Sequence, residues 1–106
     1  MAKARYWWYQ NVCAIIREYP EMRQREARLR GRERKDYAAV CRAIDRVTGW
    51  PTGKEIMAVV QAKAWESDKK SLGAIAMEEY MSERTATRRY SRFVYTVADE
   101  LGYKMG

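Results

Sequence analysis

The chain has 106 residues, of which 47% are apolar and 12% aromatic, enough for one modest hydrophobic core with little room for a second. It carries 21 Lys and Arg against 14 Asp and Glu, and the formal net charge of +7 favours an anionic partner. Histidine is absent, which excludes the commonest general base and metal ligand, and two cysteines do not complete a four-ligand zinc site.

No targeting or membrane-spanning pattern is present, because polar residues interrupt every apolar run after the basic start at Lys3 and Arg5. Cys13 and Cys41 lie among apolar neighbours, which favours free buried thiols over a disulfide. These features predict a cytoplasmic protein.

Apolar spacing predicts a first helix from about Tyr6. Its stripe is Tyr9, Val12, Cys13, Ile16 and Tyr19. We expect Pro20 to interrupt this helix or to start the next one, because proline lacks an amide donor and restricts the residue before it.

A polar segment broken by Gly31 follows, and a second helix is predicted from about Arg34 to Thr48, with Gly49 at its end. Thr52 is expected to cap a third helix over residues 54–66. Ser71 is expected to cap a fourth helix of two to three turns.

The last predicted helix begins after Ser82 and ends at Gly102, and no strand or hairpin pattern appears anywhere. The sequence therefore predicts an all-α fold of five or six short helices in one compact bundle. We expect a single domain over residues 1–106, with basic, aromatic N-terminal helices over 1–50 and a C-terminal helix-turn-helix over 71–101.

The helix-turn-helix prediction rests on a short helix, a turn near Tyr80 and Met81, and a second helix opened by Ser82. Ala76 and Ala86 are small where the two helices must approach each other, and Met81 can anchor the turn in the core. The alternative is an ordinary amphipathic helix with a solvated charged face.

The outer face of the last helix is rich in arginine, with four arginines in nine residues. Arg84 and Arg88 can reach guanines, and Glu83 can accept from a cytosine amino group. Arg92 lies on or near the same face. Contacts nearer the phosphates are expected from Ser82, Thr85, Thr87 and Arg89.

A basic segment, defined as residues 23–35, holds much of the excess charge, including Arg28 and Arg30. It is interpreted as an arm that binds DNA phosphates without sequence preference. A solvated segment and a surface for an acidic protein remain open alternatives.

The aromatic run from Tyr6 to Tyr9 is interpreted as a core or oligomer contact, because consecutive residues of a helix cannot all face one way. A stacking platform for single-stranded bases is the alternative. A homodimer paired through this helix stays open.

The run Ser82-Glu83-Arg84-Thr85-Ala86-Thr87-Arg88-Arg89-Tyr90 resembles the helix-turn-helix of sigma-factor region 4. Together with Tyr6-Trp7-Trp8-Tyr9 and Ile15-Ile16-Arg17-Glu18-Tyr19-Pro20, the chain is similar to RinA- and ArpU-type late-gene transcriptional regulators of phages and prophages. The resemblance implies sequence-specific binding of double-stranded DNA and contact with host RNA polymerase in a bacterial cytoplasm. The chain departs from that pattern at Tyr80, where glycine is usual, and at Arg89, where an aliphatic residue is usual.

No motif for catalysis, cofactor binding or metal binding is present, and adjacent acids such as Glu78 and Glu79 point about 100° apart on a helix. We therefore expect a protein that is not an enzyme. Two other function classes stay open: a small terminase subunit for DNA packaging, and a phage protein-interaction or inhibitor module.

Overall fold

The computed structural model describes residues 6–66 and 69–103, and this part of the chain is helical, without strands. The α-helices are α1 (Tyr9–Gln24), α2 (Gly31–Thr48), α3 (Gly53–Val60), α4 (Leu72–Glu78) and α5 (Glu83–Leu101). A 3₁₀ turn at Glu26–Arg28 precedes α2, and a π turn at Gln61–Trp65 continues α3. The prediction of an all-α fold is confirmed.

Helix α5 is the centre of the packing, since it contacts each of the other four helices. Its inward stripe consists of Ala86, Tyr90, Phe93, Val94, Val97 and Ala98. The predicted stripe of α1 supplies Val12, Cys13 and Ile16 to the same core cluster. Burial of these stripes is the main force that holds the five helices together, since most helical stability in proteins comes from the packing of an apolar face.

The expectation that Pro20 interrupts the first helix or starts the next one is wrong, because α1 continues through it to Gln24. The amide that Pro20 lacks would have donated to the Ile16 carbonyl one turn earlier. The indole Nε1–H of Trp65 donates to that carbonyl instead, at 2.6 Å. A tertiary contact therefore satisfies the acceptor that proline left without a donor.

Helix α2 begins three residues before the predicted start, at Gly31, whose φ of +59° is accessible to glycine at little cost. Apolar spacing missed this first turn because its residues, up to Arg34, are polar and exposed. Leu29, just upstream, is only 2% exposed and attaches the preceding connection to the core.

The serine caps are confirmed at two helices. The Ser71 Oγ accepts from the Ala74 amide at 3.1 Å, and the Ser82 Oγ accepts from the Thr85 amide at 3.0 Å. Thr52 occupies the corresponding position before α3, but its side chain makes no capping hydrogen bond. The expected capping hydrogen bond of Thr52 is therefore wrong, although α3 begins within one residue of the predicted start.

The connection between α4 and α5 is a short turn in which Tyr80 adopts φ +56°, the left-handed conformation. Its side chain is 97% exposed, so no burial offsets the backbone strain. Ala76 and Ala86 are buried, and Met81 packs against the core, as the sequence predicts. This turn directs the N-terminal end of α5 to the surface.

Candidate nucleic-acid interface

The first turn of α5 is held by a small hydrogen-bond network. Besides capping the helix, the Ser82 hydroxyl donates to the Thr85 Oγ1 at 2.9 Å. Two of the three hydroxyls expected near phosphates are thus already engaged with each other. Their arrangement orients the start of the helix and leaves the Thr85 hydroxyl hydrogen to donate to a phosphate, whereas Ser82 can donate to one only by releasing Thr85.

Arg84 and Arg88 form the centre of the outer face of α5. They are exposed and one turn apart, so their side chains project on the same side of the helix. Among residues 6–66 and 69–103, no carboxylate oxygen lies within ion-pair distance of either guanidinium. Their positive charge is therefore available to a ligand.

A shallow, open depression of about 630 Å³ follows this outer face. It is lined by Glu83, Arg84, Thr87, Arg88, Ser91, Arg92 and Tyr95. Sequence reasoning missed Ser91 and Tyr95, although each lies seven residues, about two turns, after Arg84 or Arg88. That spacing was the signal that both share the face.

Arg92 lies at the edge of the outer face, where the Trp50 ring orients it. The guanidinium carbon is 4.7 Å from the ring centroid, a cation–π geometry. Trp50 is itself half-buried and packs against the core. The contact that places Arg92 comes from the turn between α2 and α3, far away in sequence.

Arg89 and Glu83 are oriented differently from the two central arginines. Arg89 is half-buried, and its Nη1 donates to the Met81 sulfur at 3.7 Å, beside the turn. The Glu83 carboxylate lies near the first turn of α4, where a Cβ added at Gly73 would be 3.6 Å from its Oε1. Both side chains therefore lie toward the α4 side of the site.

The aromatic run at the N-terminus packs along the edge of the outer face, against Ser91 and Tyr95 of α5. Trp8 is 1% exposed, and the Tyr9 and Ser91 hydroxyls share a hydrogen bond of 3.2 Å. The ring of Tyr6 meets that of Tyr95 edge to face, with centroids 6.1 Å apart. Trp7 differs, since it is 79% exposed and touches Tyr103 with one edge.

Contacts connect the turn that carries Arg28 to the inner side of α5 and not to its outer face. Arg84 and Phe93 are nine residues apart on α5, or two and a half turns, and so point in opposite directions. From Phe93, ring contacts of 5.0 to 6.0 Å lead through Trp65 and Tyr19 to Tyr37. The Tyr37 hydroxyl then donates to Glu26, in the turn that carries Arg28. The predicted DNA-binding residues thus form two separate surfaces.

The thiol groups of Cys13 and Cys41 are both at least partly buried. Both cysteines are free, Cys13 buried and Cys41 half-buried. Burial raises the pKa of Cys13, and burial together with the adjacent Cys13 raises the pKa of Tyr90, so both groups are neutral at physiological pH. A neutral buried thiol is a poor nucleophile.

Within residues 6–66 and 69–103, no three His, Cys, Asp or Glu side chains are grouped to hold a metal ion. No helix of the same ranges is long and apolar enough to cross a membrane. Comparison of the chain with family models, curated proteins and solved structures finds no match.

Proposed function

We propose that this chain is a sequence-specific, double-stranded DNA-binding transcriptional regulator of phage or prophage type, with residues 82–92 of α5 in the major groove. The supporting observation is the pair of exposed arginines, Arg84 and Arg88, on adjacent turns of a capped helix without carboxylate partners among the described residues. An α-helix with its side chains, 10–12 Å across, matches the major-groove width of roughly 12 Å.

In this proposal α4 and α5 act as a helix-turn-helix. α5 reads base edges, and α4 crosses the sugar-phosphate backbone beside it. The seven-residue length of α4 and the turn at Tyr80 support that arrangement.

Each residue of the face has a proposed role. Arg84 and Arg88 donate in pairs to guanine O6 and N7, and Arg92, oriented by Trp50, extends this row. Glu83 accepts from a cytosine amino group when its carboxylate turns away from α4 and toward the major groove. Phosphate contacts are assigned to Ser82, Thr85, Thr87 and Arg89.

The regulatory part of the proposal, contact with host RNA polymerase in the bacterial cytoplasm, rests on the sequence resemblance alone. A homodimer would place two copies of α5 on half-sites one helical turn of DNA apart. The footprint length on a selected site distinguishes one half-site from two.

The test begins with selection of binding sites from random duplexes at two ionic strengths. Arg84→Ala and Arg88→Ala are each expected to weaken binding to the selected site by about 1–3 kcal/mol, with little change on unrelated DNA. The matched control is Arg17→Ala, an exposed arginine of α1 outside the outer face of α5. Unchanged occupancy of the selected site by both α5 variants would refute the assignment of the recognition helix.

A further inference from the structure

The basic segment carries positive charge that the protein does not neutralise. Of its two acids, Glu33 pairs with Arg25 at 3.4 Å, and Glu26 accepts from Tyr37. Six other cations of the segment have no carboxylate oxygen within ion-pair distance among the described residues. They are Arg23, Arg28, Arg30, Arg32, Arg34 and Lys35.

The backbone directs part of this charge outward. Leu29 and Arg30 have extended dihedral angles, and side chains of extended backbone alternate between two sides. Leu29 is buried, whereas Arg28 and Arg30 on either side of it are exposed. The apolar anchor between them therefore holds both guanidinium groups toward solvent.

The chemistry of the segment fits phosphates better than a protein surface. Protein interfaces have an apolar or aromatic centre. Here Ala27 is the only exposed apolar residue of the segment, since Leu29 is buried. Arginine in excess over acids, with few apolar neighbours, is the composition that binds a nucleic-acid backbone.

The position of the segment decides what it can bind. Arg34 and Lys35 of the segment line a depression together with Glu100, at the C-terminal end of α5. Arg84 is 16 residues earlier on the same helix, about 24 Å away at a rise of 1.5 Å per residue. The segment therefore lies beyond the reach of a major groove, roughly 12 Å wide, that holds residues 82–92 of α5.

We infer that the basic segment binds the phosphates of a second DNA duplex, so that one protein molecule bridges two duplexes. This inference rests on the proposed function for the first duplex, held by α5. The second contact needs no base readout, because it is made with phosphates alone.

The test uses beads that carry a duplex with the selected site, followed by protein and a fluorescent duplex of unrelated sequence. Wild-type protein is expected to retain the fluorescent duplex on the beads. Arg28→Glu with Arg30→Glu should abolish that retention while keeping the protein on the immobilised duplex. The matched control is Arg17→Glu with Lys69→Glu, which changes the net charge equally at exposed positions outside both surfaces.

A second readout measures the salt dependence of binding to unrelated duplex. Arg28→Ala with Arg30→Ala should reduce the slope of log K against log salt by about 2, since each phosphate contact contributes roughly 0.9. The control pair Arg17→Ala with Lys69→Ala should leave the slope unchanged.

The outcomes separate the two proposals. Retention of the fluorescent duplex by the Arg28 and Arg30 charge-reversal variant would overturn bridging by this segment. If polyglutamate, added at the same total charge as competitor DNA, displaces the fluorescent duplex, the assignment of the basic segment to DNA would be overturned. Normal occupancy of the selected site by the Arg84 and Arg88 variants would instead refute the proposed function.

Discussion

At the scale of single residues, Trp65 shows how a distant side chain can correct a local defect. Pro20 leaves the Ile16 carbonyl of α1 without its helical donor, and the Trp65 indole donates to it at 2.6 Å. A buried carbonyl without a donor costs about 1–3 kcal/mol, so this hydrogen bond is what allows α1 to pass through proline.

We predict that Trp65→Phe costs about 1–3 kcal/mol of unfolding free energy, because phenylalanine keeps an aromatic ring but cannot donate. Trp65→Phe should cost less in the Pro20→Ala variant, since the amide of the new alanine can donate to the Ile16 carbonyl. Urea unfolding of the four proteins of this double-mutant cycle measures the coupling. Additive costs would show that the indole hydrogen bond does not compensate for proline.

At the scale of helices, the residues before α3, α4 and α5 show that a residue type favoured at helix caps does not always form the capping hydrogen bond. Ser71 and Ser82 both accept from an amide three residues later. Thr52 occupies the same position before α3 and makes no such bond. The value of a capping residue thus depends on the conformation in which the preceding turn places it.

Ser71→Ala and Ser82→Ala are each expected to lower the unfolding free energy by about 1 kcal/mol, because each leaves a helix-terminal amide without its acceptor. Thr52→Ala is the matched control and should lower the unfolding free energy by less than half as much as either serine change. Thermal unfolding followed by circular dichroism compares the three. Equal losses at all three positions would contradict the role of the observed hydrogen bonds.

At the scale of the whole molecule, an ion-pair cluster joins α2 to the C-terminal end of α5. Arg42 donates to Glu100 at 2.7 Å, and Arg46 donates to Asp99 at 2.8 Å and to Glu100 at 3.0 Å. Hydrogen bonds from Arg42 and Arg46 lower the pKa of Glu100 below its ordinary value of 4.5. The cluster therefore links stability to pH.

The sign of that dependence follows from the lowered pKa. Stabilisation by ionised Glu100 is present above the unfolded pKa of 4.5 and is lost as pH falls through the lower folded value. Glu100→Gln should thus be less stable than wild type at neutral pH, with the difference shrinking in acid. Urea unfolding from neutral to acidic pH measures the stability difference between the variant and wild type. Glu55→Gln, at an exposed position, is the control. A difference independent of pH would exclude the charge of Glu100 as its cause.

Local signals predicted most of the fold. The predicted stripe of α1 supplies Val12, Cys13 and Ile16 to the core, and Gly102 ends α5 in the left-handed conformation, because these features depend only on residues a few positions apart. The candidate site was predicted in part. Arg84 and Arg88 are exposed as expected, but the cation–π contact of Arg92 with Trp50 joins residues 42 positions apart and leaves no local pattern.

By itself, the sequence determined the all-α class, the buried stripes, the serine caps and the row of arginines on the last helix. These follow from helical periodicity and from hydrogen bonds within one turn. Only the tertiary structure decided that α1 passes through Pro20, that Trp50 orients Arg92, and that the basic segment lies near the C-terminal end of α5, away from Arg84. Each of these depends on how separate helices pack, and a hydrophobic stripe specifies that a face is buried without specifying which side chains it meets.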